Sequence, residues 1–315
     1  MVFNSIFFIF CFLPVFMLIY YLVPGKLRNL LLFLGSLIFY AWGEPVYVIL
    51  MLFSSIFNYY MGTELERLYY DDRKQKINLI FSIIINLAVL VFFKYYGFLL
   101  NTIGGIIGIH IPHPELSLPI GLSFYTFRNL SYLFDIYLSK VSAQRNFLTF
   151  AVYSTMFPYT SAGPIVRYTD IETQLKQRTI NISKFGIGAE LFVKGLAKKV
   201  LLADNLSVLY SSICGHPQMS VFTSWLGILA YTMQLYFDFS GYSDMAIGLG
   251  KMLGFDFNKN FDYPYISTSV SEFWRRWHIS LGSWFRDYIY IPLGGNRVST
   301  LKHIRNILVV WALTG

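Results

Sequence analysis

Long apolar runs alternate with short polar turns over the first part of the chain. Each run is near or somewhat below the roughly 20 residues that cross a bilayer as a helix. The pattern therefore predicts membrane-spanning helices joined by short turns, and the candidate spans are residues 3–23, 30–42, 46–61, 77–93 and 118–137.

The middle of the chain is less regular and predicts broken helices. Residues 118–137 hold Arg128 and Asp135 seven positions apart, about two helical turns, so both side chains can lie on one face away from lipid. Two prolines interrupt residues 157–165, which favours a segment that enters the protein without crossing the membrane.

Residues 182–202 mix apolar positions with lysines, a pattern typical of an interfacial helix whose lysines reach the lipid–water boundary. We therefore expect an all-α, polytopic integral membrane protein with short, broken and interfacial helices. The prediction is a single domain over residues 1–315, with roughly eight to ten helices. The lysines concerned are Lys184, Lys194, Lys198 and Lys199.

Composition supports the membrane prediction. Of the 315 residues, 55% are hydrophobic and only 13% are charged, whereas a soluble domain carries about 25% charged residues. Cys11 and Cys214 lie in separate apolar segments, so neither a disulfide nor a metal site is predicted. The first apolar run lacks the features of a cleaved signal peptide and is expected to be a retained transmembrane helix.

The net charge of +8 reflects topology rather than nucleic-acid binding, for which no role is predicted. Basic residues are concentrated in alternate connections, apart from Lys94, and this asymmetry places the basic loops in the cytoplasm and the N-terminus outside. The basic residues of those connections are Lys26 and Arg28, then Arg67, Arg73, Lys74 and Lys76, then Lys140 and Arg145.

A dense group of polar and aromatic residues near the end of the chain is the main candidate site. Charged groups are costly near lipid, so this density indicates a site rather than a lipid-facing wall. Among five histidines, only His278 lies directly between apolar residues with several charged residues close in sequence. The group covers residues 271–281 (SEFWRRWHISL), 284–288 (WFRDY) and 292–297 (PLGGNR).

His278 can be interpreted in two ways. A neutral imidazole can take a proton from an attacking hydroxyl, with a neighbouring carboxylate or carbonyl orienting the ring. From the residues alone, a structural histidine that caps a helix or binds a carbonyl is the favoured alternative. Arg275, Arg276 and Arg286 could bind the phosphates of a phosphopantetheine thioester donor, or could anchor a membrane boundary together with nearby tryptophans.

A second polar segment, residues 238–244 (DFSGYSD), interrupts an apolar region. Its two aspartates need partners, and arginines of the later motif are the expected ones. The segment either contacts substrate or is a polar knot that holds helices together. The residues proposed as substrate contacts are Asp238, Ser240, Tyr242 and Asp244.

Together these motifs resemble the membrane-bound O-acyltransferase family, and within it the bacterial alginate O-acetyltransferase branch. The resemblance covers nearly the whole chain. It is carried by residues 39–43 (FYAWG), 118–124 (LPIGLSF), 162–165 (AGPI), 234–244 (QLYFDFSGYSD), 273–281 (FWRRWHISL), 284–288 (WFRDY) and 291–297 (IPLGGNR).

The resemblance implies a multi-helix fold in the plasma membrane of a bacterium, with a tunnel between the two faces. An acyl group, expected to be acetyl, would pass from a cytoplasmic thioester donor, acetyl-CoA or an acylated carrier protein, to an acceptor reached from outside. No bound cofactor is implied. The final acceptor would be an exported polysaccharide, with an extracellular SGNH-type acetyltransferase as a further expected partner that relays the group.

The resemblance also implies roles for individual residues. His278 would assist acyl transfer or orient the acceptor. The three arginines would hold the donor phosphates or stabilise developing negative charge, and Asp287 would position one of them. Residues 238–244 would line the tunnel.

Family members use a second histidine in a Trp-His-Gly-type string, and the match stops just before it. The last apolar segment offers about 12 residues, roughly 18 Å of helix. We therefore expect a C-terminally truncated enzyme with weak or no activity. Two alternatives remain open: a D-alanyl transferase of cell-wall polymers, and a non-enzymatic transporter or flippase, for which broken helices and buried charges are also typical.

Overall fold

A computed structural model describes residues 1–109, 112, 114, 116–216 and 220–314. Within these ranges the chain forms α-helices, short 3-10 and π-helical segments and loops, with no β-strand, which confirms the all-α prediction. A π-helical turn, Phe8–Phe12, leads into helix α1, Leu13–Leu22. The contacts between residues divide the chain into two compact units. The single-domain organisation stays a prediction.

The first unit comprises Met1, Leu18–Ser161 and Arg167–Lys176. Its helices are α2 (Arg28–Gly43), α3 (Val48–Arg67), α4 (Asp72–Ile107), α5 (Leu122–Tyr137), α6 (Phe147–Thr155), α7 (Phe157–Thr160) and α8 (Tyr168–Lys176). By length and composition, α3 and α4 could cross a membrane. In this unit α3 packs against α4, α5 and α6, and α2 packs against α6.

Helix α4 is much longer than the span of residues 77–93 that the sequence predicts. It begins where the Asp71 side chain accepts a hydrogen bond from the backbone N–H of Lys74 at 3.0 Å, which satisfies one of the free donors of the first turn. It ends at Gly108, whose φ of +74° is the left-handed conformation that glycine adopts easily. The polar and glycine positions after residue 93 do not interrupt the helix.

Arg128 stabilises the break between α6 and α7. Its side chain is fully buried in the first unit, and its guanidinium donates to the backbone oxygens of Tyr159 at 2.8 Å and Ser154 at 3.0 Å. The short α7 confirms that residues 157–165 do not form a continuous helix. Gly121 allows the close approach of α5 to this break, because a Cβ atom there would lie 2.0 Å from the oxygen of Thr160.

Asp135, the other charged residue predicted to avoid lipid, is also buried, with 1% of its surface exposed. Its carboxylate lies 3.3 Å from the ammonium group of Lys140. Both charged side chains therefore face the protein interior, as their seven-residue spacing predicts.

The second unit comprises Val2–Met17, Ala162–Val166 and Gln177–Gly315. Its helices are α9 (Ile182–Ala197), α10 (Asp204–Cys214), α11 (Val221–Met252), α12 (Val270–Arg276), α13 (Ile279–Phe285) and α14 (Thr300–Thr314). Short π-helical segments follow α9 and α13, at Lys198–Ala203 and Arg286–Tyr290. The described segments thus outnumber the expected eight to ten helices, because broken helices count twice.

Helices α9 and α11 approach so closely that their backbones touch. A Cβ atom on Gly188 would lie 2.6 Å from the oxygen of Gly248, and one on Gly195 would lie 2.5 Å from the oxygen of Gly241. Small residues at such crossings let helices pack at backbone distance. The pairing of these glycines therefore fixes the register of α9 on α11.

The lysines of residues 182–202 form ion pairs, which differs from the expected reach toward the lipid–water boundary. Lys194 pairs within its own helix, whereas close packing of the helices brings carboxylates of other segments within range of Lys184, Lys198 and Lys199. The interfacial position of this helix stays a prediction. The pairs are Lys184–Asp256 at 2.7 Å, Lys194–Glu190 at 2.6 Å, Lys198–Asp244 at 2.6 Å, Lys199–Asp238 at 2.8 Å and Lys199–Asp204 at 2.9 Å.

We predict that Arg128→Met destabilises the protein strongly, because two backbone oxygens lose their donors and an unsatisfied buried acceptor costs about 1–3 kcal/mol. Thermal unfolding in nanodiscs, followed by circular dichroism, measures the effect. Arg73→Met, at an exposed position, is the matched control. Equal unfolding temperatures for the two variants would contradict the role given to Arg128.

Two neighbouring glycines of α9 should respond oppositely to alanine. Gly188→Ala should lower the unfolding temperature, because the new methyl group meets the backbone of α11. Gly186 has nothing within 4 Å of its Cβ position, so Gly186→Ala should be neutral or stabilising by up to about 1 kcal/mol. The same thermal unfolding experiment applies, and a harmless Gly188→Ala would refute the close crossing.

Candidate active site

His278 lies in the break between α12 and α13, where its backbone adopts a left-handed conformation with φ of +42°. This conformation costs a residue with a side chain roughly 1–2 kcal/mol and is often found at functional sites. Two backbone hydrogen bonds hold the break open. Ile279 donates to the oxygen of Asn260 at 2.9 Å, and Asp262 donates to the oxygen of Arg276 at 2.9 Å.

The His278 ring is held on two sides. Its Nδ1 lies 3.1 Å from Oδ1 of Asn260, whose side chain is buried, and its edge packs against Phe239 with ring centres 4.7 Å apart. Nε2 has no hydrogen-bond partner within the part of the chain that the structure describes. The ring is thus fixed through one nitrogen and leaves the other available.

The electrostatic environment of His278 favours the neutral ring. His278 lies between two seven-residue helices, outside both candidate membrane spans. Burial lowers the pKa of His278 from its ordinary value of 6.5 to about 4, because a desolvated imidazolium is unfavourable. At neutral pH the side chain is an uncharged imidazole that can accept a proton.

His278 lines a cavity of about 580 Å³. Aromatic and aliphatic side chains form most of its wall, and the imidazole and the guanidinium of Arg286 are among its few polar groups. Such a cavity, apolar with a few directed polar groups, is typical of small-molecule binding sites. The other lining residues are Trp274, Trp277, Leu281, Gly282, Phe285, Tyr290, Ile307, Val310, Trp311 and Thr314.

The three arginines of the motif have different environments. Arg286 lines the cavity and pairs with Asp287, with 2.7 Å between Nε and Oδ1. Arg276 pairs with Glu272 at 2.9 Å and also donates to the backbone oxygen of Asp262, so it holds α12 in place. Arg275 is exposed and does not line the cavity. Of the three arginines only Arg286 lines the cavity, and the roles of all three in holding the donor phosphates or stabilising negative charge stay predictions.

The segment 238–244 lies beside His278 but does not form the cavity wall. The expected arginine partners are replaced by lysines of the π-helical segment after α9, which pair with Asp238 and Asp244. Tyr242 stacks on Phe3 with ring centres 4.7 Å apart. Ser240 is buried. Of this segment, Phe239 makes the contact with His278, and the lining of a tunnel by its polar residues stays a prediction.

Sequence patterns did not single out Asn260, Ser280 or Tyr290. Asn260 is one of two asparagines in a short loop, Asn258-Lys259-Asn260, and nothing local distinguishes the buried one from the exposed one. Ser280 lies within the conspicuous motif, two residues after His278, and its position there was the one available signal.

This chain belongs to the membrane-bound O-acyltransferase family, whose model matches residues 45–314. It is therefore a membrane protein, in agreement with the two candidate spans. His278 and the residues that line its cavity all lie within the segment that the family model matches.

Three curated relatives illustrate the similarity. The "Probable alginate O-acetylase AlgI" of Pseudomonas aeruginosa is 45% identical over 100% of this chain and 61% of its own length. The "Peptidoglycan O-acetyltransferase" of Helicobacter pylori is 35% identical over 100% of this chain and 66% of its own length. The "Teichoic acid D-alanyltransferase" of Bacillus subtilis is 30% identical over 58% of this chain and 47% of its own length. The chain thus spans less than two thirds of these relatives.

The depressed pKa of His278 predicts a pH-dependent stability. The unfolded chain binds a proton at this side chain below about pH 6.5, whereas the folded protein binds it only near pH 4. Acidification across this window therefore favours unfolding. The unfolding temperature of the wild-type protein should fall relative to His278→Gln between about pH 7 and pH 4.5. A constant difference over that range would show that the ring is not buried as described.

Proposed function

We propose that the protein is a membrane O-acyltransferase that transfers an acetyl group from a cytoplasmic thioester donor to a hydroxyl acceptor for acetylation of an exported polysaccharide. The observation that supports this most is the neutral imidazole of His278 at the wall of a 580 Å³ apolar cavity. Membership of the acyltransferase family and the acetyltransferase names of the similar proteins support the same conclusion. The activity is proposed for the full-length protein.

The chemistry requires a base near the acceptor. The acceptor oxygen attacks the thioester carbonyl carbon while Nε2 of His278 takes the hydroxyl proton, so the new C–O bond forms as the O–H bond breaks. Collapse of the tetrahedral intermediate breaks the C–S bond. The proton on the imidazolium then passes to the leaving sulfur, which gives a free thiol and regenerates the neutral ring. The products are one ester and one thiol.

Arg286 is the cationic group best placed to act in this reaction. Its guanidinium lines the same cavity as His278, where it can stabilise the developing oxyanion or bind a phosphate of the donor. Asp287 holds Arg286 through their ion pair. The donor is proposed to be acetyl-CoA or an acylated carrier protein. Arg275 is exposed and lies outside the cavity, so it can contact only a part of the donor that extends beyond the cavity.

The proposed topology follows the charge asymmetry of the loops. The protein crosses the bacterial plasma membrane several times with its N-terminus outside, so the donor binds from the cytoplasm and the acceptor from the opposite face. An extracellular SGNH-type acetyltransferase is the proposed partner that carries the acetyl group to the polysaccharide.

D-alanyl transfer to a cell-wall polymer is a weaker candidate. The matching D-alanyltransferase covers 58% of this chain at 30% identity, whereas the alginate O-acetylase covers all of it at 45%. A transfer assay in vesicles, with acetyl-CoA and D-alanyl carrier protein offered separately, distinguishes the two donors. Substrate flux without acyl transfer would instead indicate a transporter.

The decisive variant is His278→Ala in the full-length protein, assayed with a radiolabelled acetyl donor. Loss of general base catalysis should lower the turnover by roughly 10²- to 10⁴-fold. His216→Ala, at an exposed position away from the cavity, is the matched histidine control and should retain wild-type turnover. Unchanged turnover in His278→Ala would remove this residue from the mechanism.

A further inference from the structure

We infer that Asn260 is a positioning residue that holds His278 in the tautomer with the proton on Nδ1, so that Nε2 is the nitrogen that accepts the substrate proton. Ser280 supports Asn260 in this role. The catalytic consequence rests on the proposed function, whereas the tautomer itself is a property of the folded protein. The sequence motifs assign no role to either residue.

The orientation of the Asn260 amide follows from its contact with the backbone of Ser280. The backbone N–H of Ser280 lies 3.1 Å from one terminal atom of this amide. A backbone N–H can only donate, so the atom that it faces must be the oxygen Oδ1 and not the NH2 group. A flipped amide would place two donors against each other.

The hydroxyl of Ser280 both accepts and donates a hydrogen bond. Its oxygen accepts a hydrogen bond from the backbone N–H of Ile165 at 3.0 Å. The single hydroxyl proton is then directed at Oδ1 of Asn260, 2.8 Å away, in preference to Nδ1 of His278 at 3.5 Å. The hydroxyl therefore donates its hydrogen bond to the amide oxygen and not to the ring nitrogen Nδ1.

The protonation of the His278 ring follows from the orientation of the Asn260 amide. Nδ1 of His278 lies 3.1 Å from the same oxygen, Oδ1 of Asn260. That oxygen can only accept, so Nδ1 must carry the proton. A neutral imidazole has one N–H group, which leaves the lone pair on Nε2. Since His278 lines the cavity and Nε2 has no partner within the described ranges, the basic nitrogen is free for the ligand.

The burial of Asn260 makes this arrangement rigid. Its side chain is 1% exposed, and its Nδ2 has no hydrogen-bond partner among the residues that the structure describes. The amide keeps its orientation because a flip would turn its NH2 group toward the backbone N–H of Ser280, which can only donate. A neutral amide acceptor also fixes the tautomer without adding the negative charge that would favour the imidazolium.

The test is ¹⁵N NMR of histidine-labelled full-length protein in nanodiscs, which distinguishes a protonated from an unprotonated ring nitrogen. His278→Gln identifies the resonances of His278 by their loss. The wild-type protein is expected to show a protonated Nδ1 and an unprotonated Nε2 near neutral pH. The opposite tautomer, or a mixture of both, would overturn the inference whatever the variants do.

Two substitutions at position 260 separate positioning from folding. Asn260→Asp keeps an oxygen acceptor, so the His278 proton should stay on Nδ1. Asn260→Leu removes the acceptor, so the proton should distribute between Nδ1 and Nε2. Acetyl transfer by Asn260→Leu should fall by roughly 10- to 100-fold in kcat, as is typical when the partner of a functional histidine is lost, with little change in donor KM. Asn258→Leu, at an exposed position of the same loop, should leave both readouts unchanged.

A second pair of variants covers the case in which Asn260→Leu does not fold. Ser280→Ala removes the hydroxyl that donates to the amide oxygen, while Ser283→Ala removes a hydroxyl of the same helix that donates to the backbone oxygen of Ser280. Ser280→Ala should lower kcat more than Ser283→Ala, and equal effects would contradict the support by Ser280. A wild-type protein without acetyl transfer, but with protonated Nδ1, would refute the proposed function and leave the tautomer inference standing.

Discussion

A polar group inside an apolar helical protein is stabilised by hydrogen-bond partners within the chain, because lipid offers none. The two compact units each show the consequence. In the first, Arg128 donates to two backbone oxygens at the break between α6 and α7. In the second, Asn260 accepts from both groups of Ser280 and from His278. In both units a buried side chain forms hydrogen bonds at a break between two helices and thereby stabilises that break.

The same constraint explains how the candidate site differs from its surroundings. Three charged residues near the site form ion pairs that hold helices together: Arg276, Asp238 and Asp244. What remains at the cavity is a neutral imidazole with one engaged nitrogen, and a guanidinium next to its own carboxylate. A low-dielectric wall strengthens the interaction of both groups with a ligand. Most charges near the motif are structural, and few are available for chemistry.

Much of this could be predicted from the chain because it depends on local pattern. Apolar length predicted helices, the Arg128–Asp135 spacing predicted a buried face, and the density of charge around His278 predicted a site. The role of Asn260 could not be predicted, since it follows from a loop that returns to pair with Ile279 nineteen positions later along the chain. The lysine partners of Asp238 and Asp244 likewise depend on how closely α9 crosses α11, which is set by glycines on both helices.

The proposed mechanism requires the cavity beside His278 to hold the acyl group during transfer. Cryo-electron microscopy of the full-length protein with a non-transferable thioether analogue of acetyl-CoA can show this directly. Density for the acyl end is expected in the cavity, with its carbonyl position between the His278 ring and the Arg286 guanidinium. An analogue bound elsewhere, with this cavity empty or filled by lipid, would mean that the cavity is not the acyl site.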